Sequence, residues 1–190
     1  STRKESSAAS DVYKRQEDDH AIDETLKRLD TDYIDLMILH QPSGNYIAGY
    51  RQLEKAYKEG KVRAIGISNF NIKEIQEILD NCEVIPALIQ VEAHPYYPQT
   101  ELREFLAKEK IAIQAWYPLG GRDNKAILKE KVIEELAQKY QKSPAQIILR
   151  WHTQMNIIVI PGSKTESHIK ENIDIFDFTF CLLYTSDAAD

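Results

Sequence analysis

Residues 33–40 have the sequence YIDLMILH, an apolar run that ends in a histidine. The stretch VRAIGISN at residues 62–69 repeats this arrangement, with a serine and an asparagine after the apolar residues. Short runs rich in Ile, Val and Leu are typical of strands that are buried on both faces of a parallel sheet. We therefore predict five strands, over Tyr33–Leu39, Val62–Ile67, Ala87–Val91, Ile111–Ala115 and Ile157–Ile160.

Amphipathic stretches separate the predicted strands and indicate helices. We predict these helices over Ala21–Leu29, Tyr46–Glu59, Ile72–Asn81, Thr100–Lys108, Lys129–Tyr140 and Pro144–Gln154. The sequence KYQKS at residues 139–143 interrupts the longest connection, and Ser143 before Pro144 is typical of a capped helix start. The first four strands begin about 25 residues apart, and a strand–helix unit repeated at this spacing indicates a parallel α/β fold.

Two parallel architectures are compatible with this repeat, a doubly wound sheet and a TIM (β/α)8 barrel. A doubly wound sheet usually has a glycine-rich phosphate loop after its first strand, and the sequence contains no such motif. A barrel places functional residues at the C-terminal ends of many strands. Polar or aromatic residues lie at the C-terminal end of every predicted strand, namely His40, Ser68 with Asn69, Gln90 with Glu92, Trp116 with Tyr117, and Ser163 with Lys164. We therefore expect an α/β TIM barrel, truncated to about strands 4–8 because three of the eight strands are missing.

Composition excludes several classes of protein. The 190 residues are 43% hydrophobic and 28% charged with a net charge of −6, which is typical of a globular protein and disfavours a nucleic-acid or membrane partner. Two cysteines in distant positions suggest neither a disulfide framework nor a zinc site. The absence of a long apolar run or a leader leads us to expect a cytoplasmic protein. Residues 1–16 and 181–190 are aperiodic, and we expect non-native or disordered tails around a domain at 17–180.

The strand ends supply the candidate site residues. His40 can orient or polarise a substrate carbonyl, although a lone histidine is more often structural. Ser68 and Asn69 suit hydrogen bonds to a carboxamide and also suit a cap for the helix that follows, and both roles are compatible. Gln90 is polar inside an apolar strand and needs a partner when it is buried. Trp116 can stack on a cofactor ring or pack at the rim.

Two further interpretations concern a phosphate-binding site and a metal-binding site. Ser163, Lys164 and the backbone N–H groups near a helix start can bind a phosphate, at a position where barrels often do so. Alternatively, His40, Glu92 and His94 suggest the metal set of a barrel hydrolase. We do not favour a metal site, because no further carboxylate or histidine ends the remaining strands.

Five segments together resemble the aldo-keto reductase family, and the resemblance covers residues 17–180. They are LKRLDTDYIDLMILHQP (26–42), GKVRAIGISNF (60–70), PALIQVEAHPY (86–96), AWYPLG (115–120) and IPGSKTESHIKEN (160–172). The resemblance implies reduction of an aldehyde or ketone by NADPH, with NAD possible, on an eight-stranded barrel.

The resemblance also implies roles for individual residues. His40 matches the histidine that orients the substrate, and Ser68, Asn69 and Gln90 match the residues that bind the nicotinamide carboxamide. Trp116 matches the aromatic residue that stacks on nicotinamide, and Leu119 matches a residue next to the pyrophosphate. Ser163 matches a ligand of the 2′-phosphate, and Glu171 and Asn172 match the residues that contact the adenine.

Several departures from the family pattern matter. The catalytic tyrosine, lysine and aspartate of the family lie on segments before the first predicted strand of this chain. We therefore expect this chain to be an inactive part of a longer protein, which we call the parent. Gly162 stands where many members have lysine and His168 where they have arginine, and Lys164 can supply the missing positive charge.

The HQPSGNYIAGYRQLEKAYKEGK stretch resembles the bacterial 2,5-diketo-D-gluconate reductase branch. We expect the parent to be a monomer that takes a small-molecule carbonyl substrate. A cofactor-sensing regulatory subunit on the same barrel is the alternative.

We predict that residues 17–180 alone fold poorly, because three absent strands leave open sheet edges and an unfilled barrel interior. Thermal unfolding followed by far-ultraviolet circular dichroism should show no cooperative transition. A cooperative melt of a soluble monomer of residues 17–180 would contradict this expectation.

Overall fold

A computed structural model describes residues 21–121 and 125–180, so the tails expected at 1–16 and 181–190 lie outside the described part. The chain divides into two compact units. Among the described residues, the first unit contains 21–90 and 102–111, and the second contains 91–101, 112–121 and 125–180.

Strands and helices alternate along the described residues. The strands are β1 (Met37–Leu39), β2 (Ile65–Ser68), β3 (Leu88–Glu92), β4 (Ala112–Trp116) and β5 (Ile157–Val159). The α-helices are α1 (Ala21–Leu29), α2 (Tyr46–Lys58), α3 (Ile72–Asn81), α4 (Thr100–Glu109), α5 (Lys131–Tyr140), α6 (Pro144–Gln154) and α7 (Glu166–Ile173), with a 3-10 helix at Lys125–Lys129. Among the helices in these two ranges, none is long and apolar enough to span a membrane.

Parallel pairing organises each unit. In the first unit β2 pairs with both β1 and β3, and in the second β4 pairs with β5. Gly66 sits between Ile38 and Leu88 in the first unit, where an added Cβ would lie 3.2 Å from Ile38 Cγ1 and from the Leu88 carbonyl oxygen. The absence of a side chain at Gly66 therefore allows the strands on both sides to pack closely.

The strand predictions are confirmed in place and in direction, although β1, β2 and β5 are shorter than the predicted runs and β3 and β4 lie one residue further along the chain. Ile34 lies within the first predicted strand but makes only an isolated parallel bridge to Val62. Between this bridge and β1, Asp35 turns outward and forms an exposed ion pair with Arg63 at 3.1 Å. This exposed charged pair separates the isolated bridge at Ile34 from the regular strand β1.

Helix α2 supports the segment that leads into β3. Tyr50 of α2 is fully buried, and its hydroxyl donates a 2.7 Å hydrogen bond to the carbonyl of Val84. The buried Glu54 accepts hydrogen bonds from the backbone N–H groups of Glu83 and Val84, each at 2.7 Å. Burial raises the pKa of the Tyr50 hydroxyl well above its usual range. The Glu54 bonds satisfy two backbone donors, and the Tyr50 bond satisfies one backbone acceptor, in a segment outside any strand.

Capping residues fix the starts of two helices. Ser143 caps α6 reciprocally with Gln146, as its sequence predicts, and Pro144 occupies the first turn. Asn71 caps α3 reciprocally with Glu74. The alternative that Ser68 or Asn69 caps this helix is therefore wrong, because the cap lies two residues further along the chain.

The second unit has a hydrophobic core of its own. Its buried members come from the 3-10 helix, α5, α6 and the segment after α7, and they are Ile127, Ile133, Ala137, Ile147, Ile148, Trp151 and Phe180. His152 of α6 is fully buried beside this core. Its ring nitrogens lie 2.8 Å from the carbonyl oxygen of Ile148 and 3.0 Å from that of Ala93. His152 thus connects α6 to the residue that follows β3.

Candidate functional site

The first unit gathers four of the predicted site residues at one edge of its sheet. His40 follows β1 directly, Ser68 ends β2, Asn69 comes next, and Gln90 lies in β3 opposite Ser68. The carboxyl ends of parallel strands meet at the same edge, which is where such folds bind ligands. The strand register thus brings these four residues together at that edge.

Asn69 connects all three strands at this edge. Its backbone N–H donates to the carbonyl of Gln90 at 3.0 Å. Its side-chain amide donates to the hydroxyl of Ser68 at 3.1 Å and to the carbonyl of His40 at 3.3 Å. The backbone of Asn69 is left-handed, with φ of 63°, a conformation that asparagine tolerates better than most residues. Asparagine therefore suits both the backbone and the hydrogen bonds at this position.

The side chains at this edge differ in exposure. The hydroxyl-bearing Ser68 is almost completely buried, whereas Asn69 and Gln90 are half-buried and His40 is exposed. Amide side chains carry both donors and acceptors, the two kinds of group that pair with a planar amide ligand. An exposed imidazole beside them is accessible to a ligand that arrives from solvent.

Tyr46 and Phe70 are two residues that the sequence reasoning missed. The ring of Phe70, which follows Asn69, contacts the ring of Tyr46 edge to face at 5.5 Å between centroids. The Tyr46 hydroxyl donates a hydrogen bond to Glu77 of α3, which raises the pKa of Tyr46 to about 12. These contacts fix the start of α2, just after the segment that begins with His40. Their partners are far apart in sequence, so no local pattern predicts them.

In the second unit an aromatic pair ends β4. The rings of Trp116 and Tyr117 pack edge to face with 4.8 Å between their centroids. Tyr117 has a left-handed backbone, as do Gly120 and Gly121, and the N–H of Gly120 donates to the Tyr117 carbonyl at 2.8 Å. Leu119 lies in this turn and packs its side chain against the core of the unit. This packing leaves the side chain of Leu119 half-buried.

A second group of predicted residues lies around α7. The hydroxyl of Ser163 accepts a hydrogen bond from the N–H of Thr165 at 3.1 Å, and Thr165 is the residue before the helix. Lys164 is exposed between them. Glu171 and Asn172 occupy the last turn of α7 and are half-buried. The polar turn thus precedes a helix start, where backbone N–H groups favour an anion.

Glu92 and His94 form a close pair just after Gln90 in the chain. The Nε2 atom of His94 lies 3.2 Å from a carboxylate oxygen of Glu92, and His94 is buried. The Nδ1 atom of His94 has no hydrogen-bond partner in the structure. Within residues 21–121 and 125–180, no three His, Cys, Asp or Glu side chains are arranged to hold a metal ion. The pair is consistent with a structural contact in the turn after β3.

Comparison with known proteins identifies the family. The profile described as the Aldo/keto reductase family matches residues 2–181. The chain belongs to the aldo/keto reductase family. Together with the parallel strands and intervening helices, this identifies the fold as part of an α/β TIM barrel.

Individual relatives agree with this assignment. The chain is 43% identical over 159 residues to the glyoxal reductase of Bacillus subtilis, covering 83% of this chain and 56% of that protein. It is 40% identical over 169 residues to the methylglyoxal reductase DkgA of Escherichia coli K12, covering 85% and 61%. The crystal structure of an aldo/keto reductase from Brucella melitensis superposes with a TM-score of 0.82 at 41% identity, covering 89% and 65%. The chain thus spans less than two thirds of these relatives.

We predict that Gly121→Ala disturbs the aromatic pair at the end of β4. The added Cβ would lie 2.7 Å from Cδ2 of Tyr117, at a φ of 69° that alanine adopts with strain. The free energy of unfolding of the parent in urea should fall by about 1–3 kcal/mol, and the near-ultraviolet circular dichroism should change.

Gly162→Ala is the matched control for this substitution. No atom lies within 4 Å of a Cβ built at Gly162, so its unfolding free energy should stay within about 0.5 kcal/mol. Equal stability of the two variants would show that the close contact between Gly121 and Tyr117 does not constrain the turn.

Proposed function

We propose that the chain is part of an NADPH-dependent reductase that converts aldehydes or ketones to alcohols. The observation that carries this proposal is the hydrogen-bonded group at the edge of the first unit. There Asn69 links Ser68, the carbonyl of His40 and the strand that contains Gln90. Membership of the aldo/keto reductase family supports the same chemistry.

The residues at this edge fit a nicotinamide carboxamide. A carboxamide has both donors and an acceptor, and the Ser68 hydroxyl with the Asn69 and Gln90 amides supplies complementary groups. Trp116 would stack on the nicotinamide ring, and the backbone around Leu119 would adjoin the pyrophosphate. When it is bound, the cofactor supplies the hydride that reduces the carbonyl carbon.

His40 is the proposed catalytic residue of this chain. Its exposed imidazole can donate a hydrogen bond to a substrate carbonyl and so orient and polarise it. The proton donor is proposed to be a tyrosine of the parent, tuned by a lysine and an aspartate, on segments that precede β1 in the parent. This chain alone is therefore proposed to be inactive.

NADPH is the proposed cofactor, with NADH as a weaker alternative. Ser163 and the backbone N–H groups before α7 would bind the 2′-phosphate, and Lys164 is exposed beside them. Glu171 and Asn172 would contact the adenine. Gly162 and His168 lack the positive charges that many family members have at these positions, which weakens the preference for the phosphorylated cofactor.

Small dicarbonyl compounds are the proposed substrates. Two relatives are named for reduction of glyoxal and methylglyoxal. The similarity of the segment after His40 to the 2,5-diketo-D-gluconate reductase branch adds that keto-acid as a candidate. We further propose a monomeric cytoplasmic protein without a nucleic-acid or membrane partner. The alternative function is a cofactor-sensing regulatory subunit that binds NADPH without turnover.

We predict that the parent oxidises NADPH in the presence of methylglyoxal, glyoxal or 2,5-diketo-D-gluconate, as followed by absorbance. His40→Ala should lower kcat by about 100-fold or more, because the substrate carbonyl loses its hydrogen-bond donor. The Kd for NADPH should not change, because His40 is proposed to bind the substrate and not the cofactor.

The outcomes separate the two functions. NADPH binding without turnover of any carbonyl would favour the regulatory subunit. Failure to bind NADPH would refute both.

A further inference from the structure

Helix α7, which contains the proposed adenine contacts, is held mainly through its C-terminal end. None of its eight residues is buried, and the side chains of Ile169 and Ile173 are 53% and 73% exposed. Helices in proteins depend on packing for most of their stability, and an isolated helix of this length is marginal. The position of Glu171 and Asn172 must therefore depend on the residues that attach the helix to the rest of the unit.

Asp174 provides that attachment. Its backbone N–H donates to the carbonyls of Lys170 and Glu171, which closes the last turn of α7. Its own carbonyl accepts a 2.7 Å hydrogen bond from the amide of Gln146. Its carboxylate accepts from Lys142 at 3.0 Å. Asp174 thus joins the end of α7 to Lys142, in the turn before α6, and to Gln146, in the first turn of α6.

Lys142 is the centre of this attachment. Its ammonium pairs with Asp174 at 3.0 Å and with Asp177 at 2.7 Å, and its side chain is only 12% exposed. The hydrogen bonds to Asp177 and Asp174 raise the pKa of Lys142. The hydrogen bond between Lys142 and Asp177 also lowers the pKa of Asp177. The backbone N–H of Lys142 donates to the carbonyl of Ala137, so the residue itself is held in the turn between α5 and α6.

The attachment continues along one face of α6. Arg150 donates to the carbonyl of Phe178 at 2.7 Å. Gln154 donates to the carbonyl of Phe180 at 2.8 Å and accepts from its N–H at 3.2 Å. With Gln146, these side chains recur every four residues and therefore lie on one face of the helix. The segment at 174–180 is thus bound beside α6 along its whole length, and α7 is the part with least support.

We propose that Lys142 is a positioning residue for the adenine end of the cofactor. It fixes Asp174, and through Asp174 the last turn of α7, so that Glu171 and Asn172 are held in place. This inference rests on the proposed function, because it takes those two residues as cofactor contacts. Lys142 itself touches neither cofactor nor substrate in this proposal.

The test compares two reductants in the parent, NADPH and reduced nicotinamide mononucleotide, which lacks the adenine and the 2′-phosphate. Lys142→Met should lower kcat/KM for NADPH about tenfold, because a loosened α7 must be ordered when the cofactor binds. The kcat/KM for reduced nicotinamide mononucleotide should not change. Lys142→Arg should restore most of the NADPH value, since it keeps both ion pairs.

Lys131→Met is the matched control. Lys131 lies on α5, its side chain is 91% exposed, and its 3.7 Å pair with Glu135 does not involve α7. The kcat/KM of this variant for each reductant should equal that of the unaltered parent. If Lys142→Met does not fold, Asp177→Asn removes one of the two ion pairs and should give a smaller loss in the same direction.

The failures are distinguishable. If the unaltered parent uses neither reductant and does not bind NADPH, the proposed function fails and this inference fails with it. If the parent is active but Lys142→Met and, where needed, Asp177→Asn leave the NADPH value unchanged, only the positioning role is refuted. An equal loss with both reductants would also refute it, because it would indicate general damage to the fold.

Discussion

Parallel pairing of the three strands in the first unit is the constraint on which its candidate site depends. With Ile38 opposite Gly66 and Ser68 opposite Gln90, the carboxyl ends of β1, β2 and β3 meet at one edge. A slip of one residue would turn the side chains of β2 to the opposite face of the sheet. Gly66 favours this register because close packing by Ile38 and Leu88 leaves little space for a side chain. The positions of the polar groups at the edge thus follow from apolar packing further down the strands.

The strands require apolar side chains, whereas the edge of the sheet requires polar ones. Strand residues such as Ile67 and Ile89 are fully buried, whereas the residues that follow them must present hydrogen-bonding groups to a ligand. Asn69 lies at the junction of these two regions. Its left-handed backbone ends the strand, and its side chain donates a hydrogen bond to the neighbouring Ser68. A residue with a branched side chain would meet steric strain at this φ, and alanine would leave the carbonyl of His40 without its amide donor.

Much of this arrangement could be predicted from sequence, because the decisive signals are local. Short apolar runs located the five strands of the described residues, and polar residues at their C-terminal ends located His40, Ser68, Asn69 and Gln90. Strand ends were less predictable, since Ile34 has a strand composition but makes only one bridge. The alternative cap of α3 at Ser68 or Asn69 is wrong although both have suitable side chains, because Asn71 caps the helix just before its first residue, Ile72.

Contacts between distant residues could not be predicted in this way. Lys142 lies more than 30 residues before Asp174 and Asp177, and nothing in the local sequence of either segment indicates the partner. The same holds for Tyr46 with Phe70 and Glu77, and for His152 with Ala93. Such pairs depend on the completed packing of helices against strands. Sequence therefore predicted where the candidate site residues lie along the strands better than it predicted what holds those residues in position.

A crystal structure of the parent with NADPH bound is the most direct test of the central claim, that the strand edge formed by Ser68, Asn69 and Gln90 binds the nicotinamide. We predict that the carboxamide of the nicotinamide lies about 3 Å from side-chain atoms of Asn69 and Gln90, as in ordinary hydrogen bonds. A bound cofactor whose nicotinamide lies elsewhere, with these side chains bonded only to protein or solvent, would contradict it.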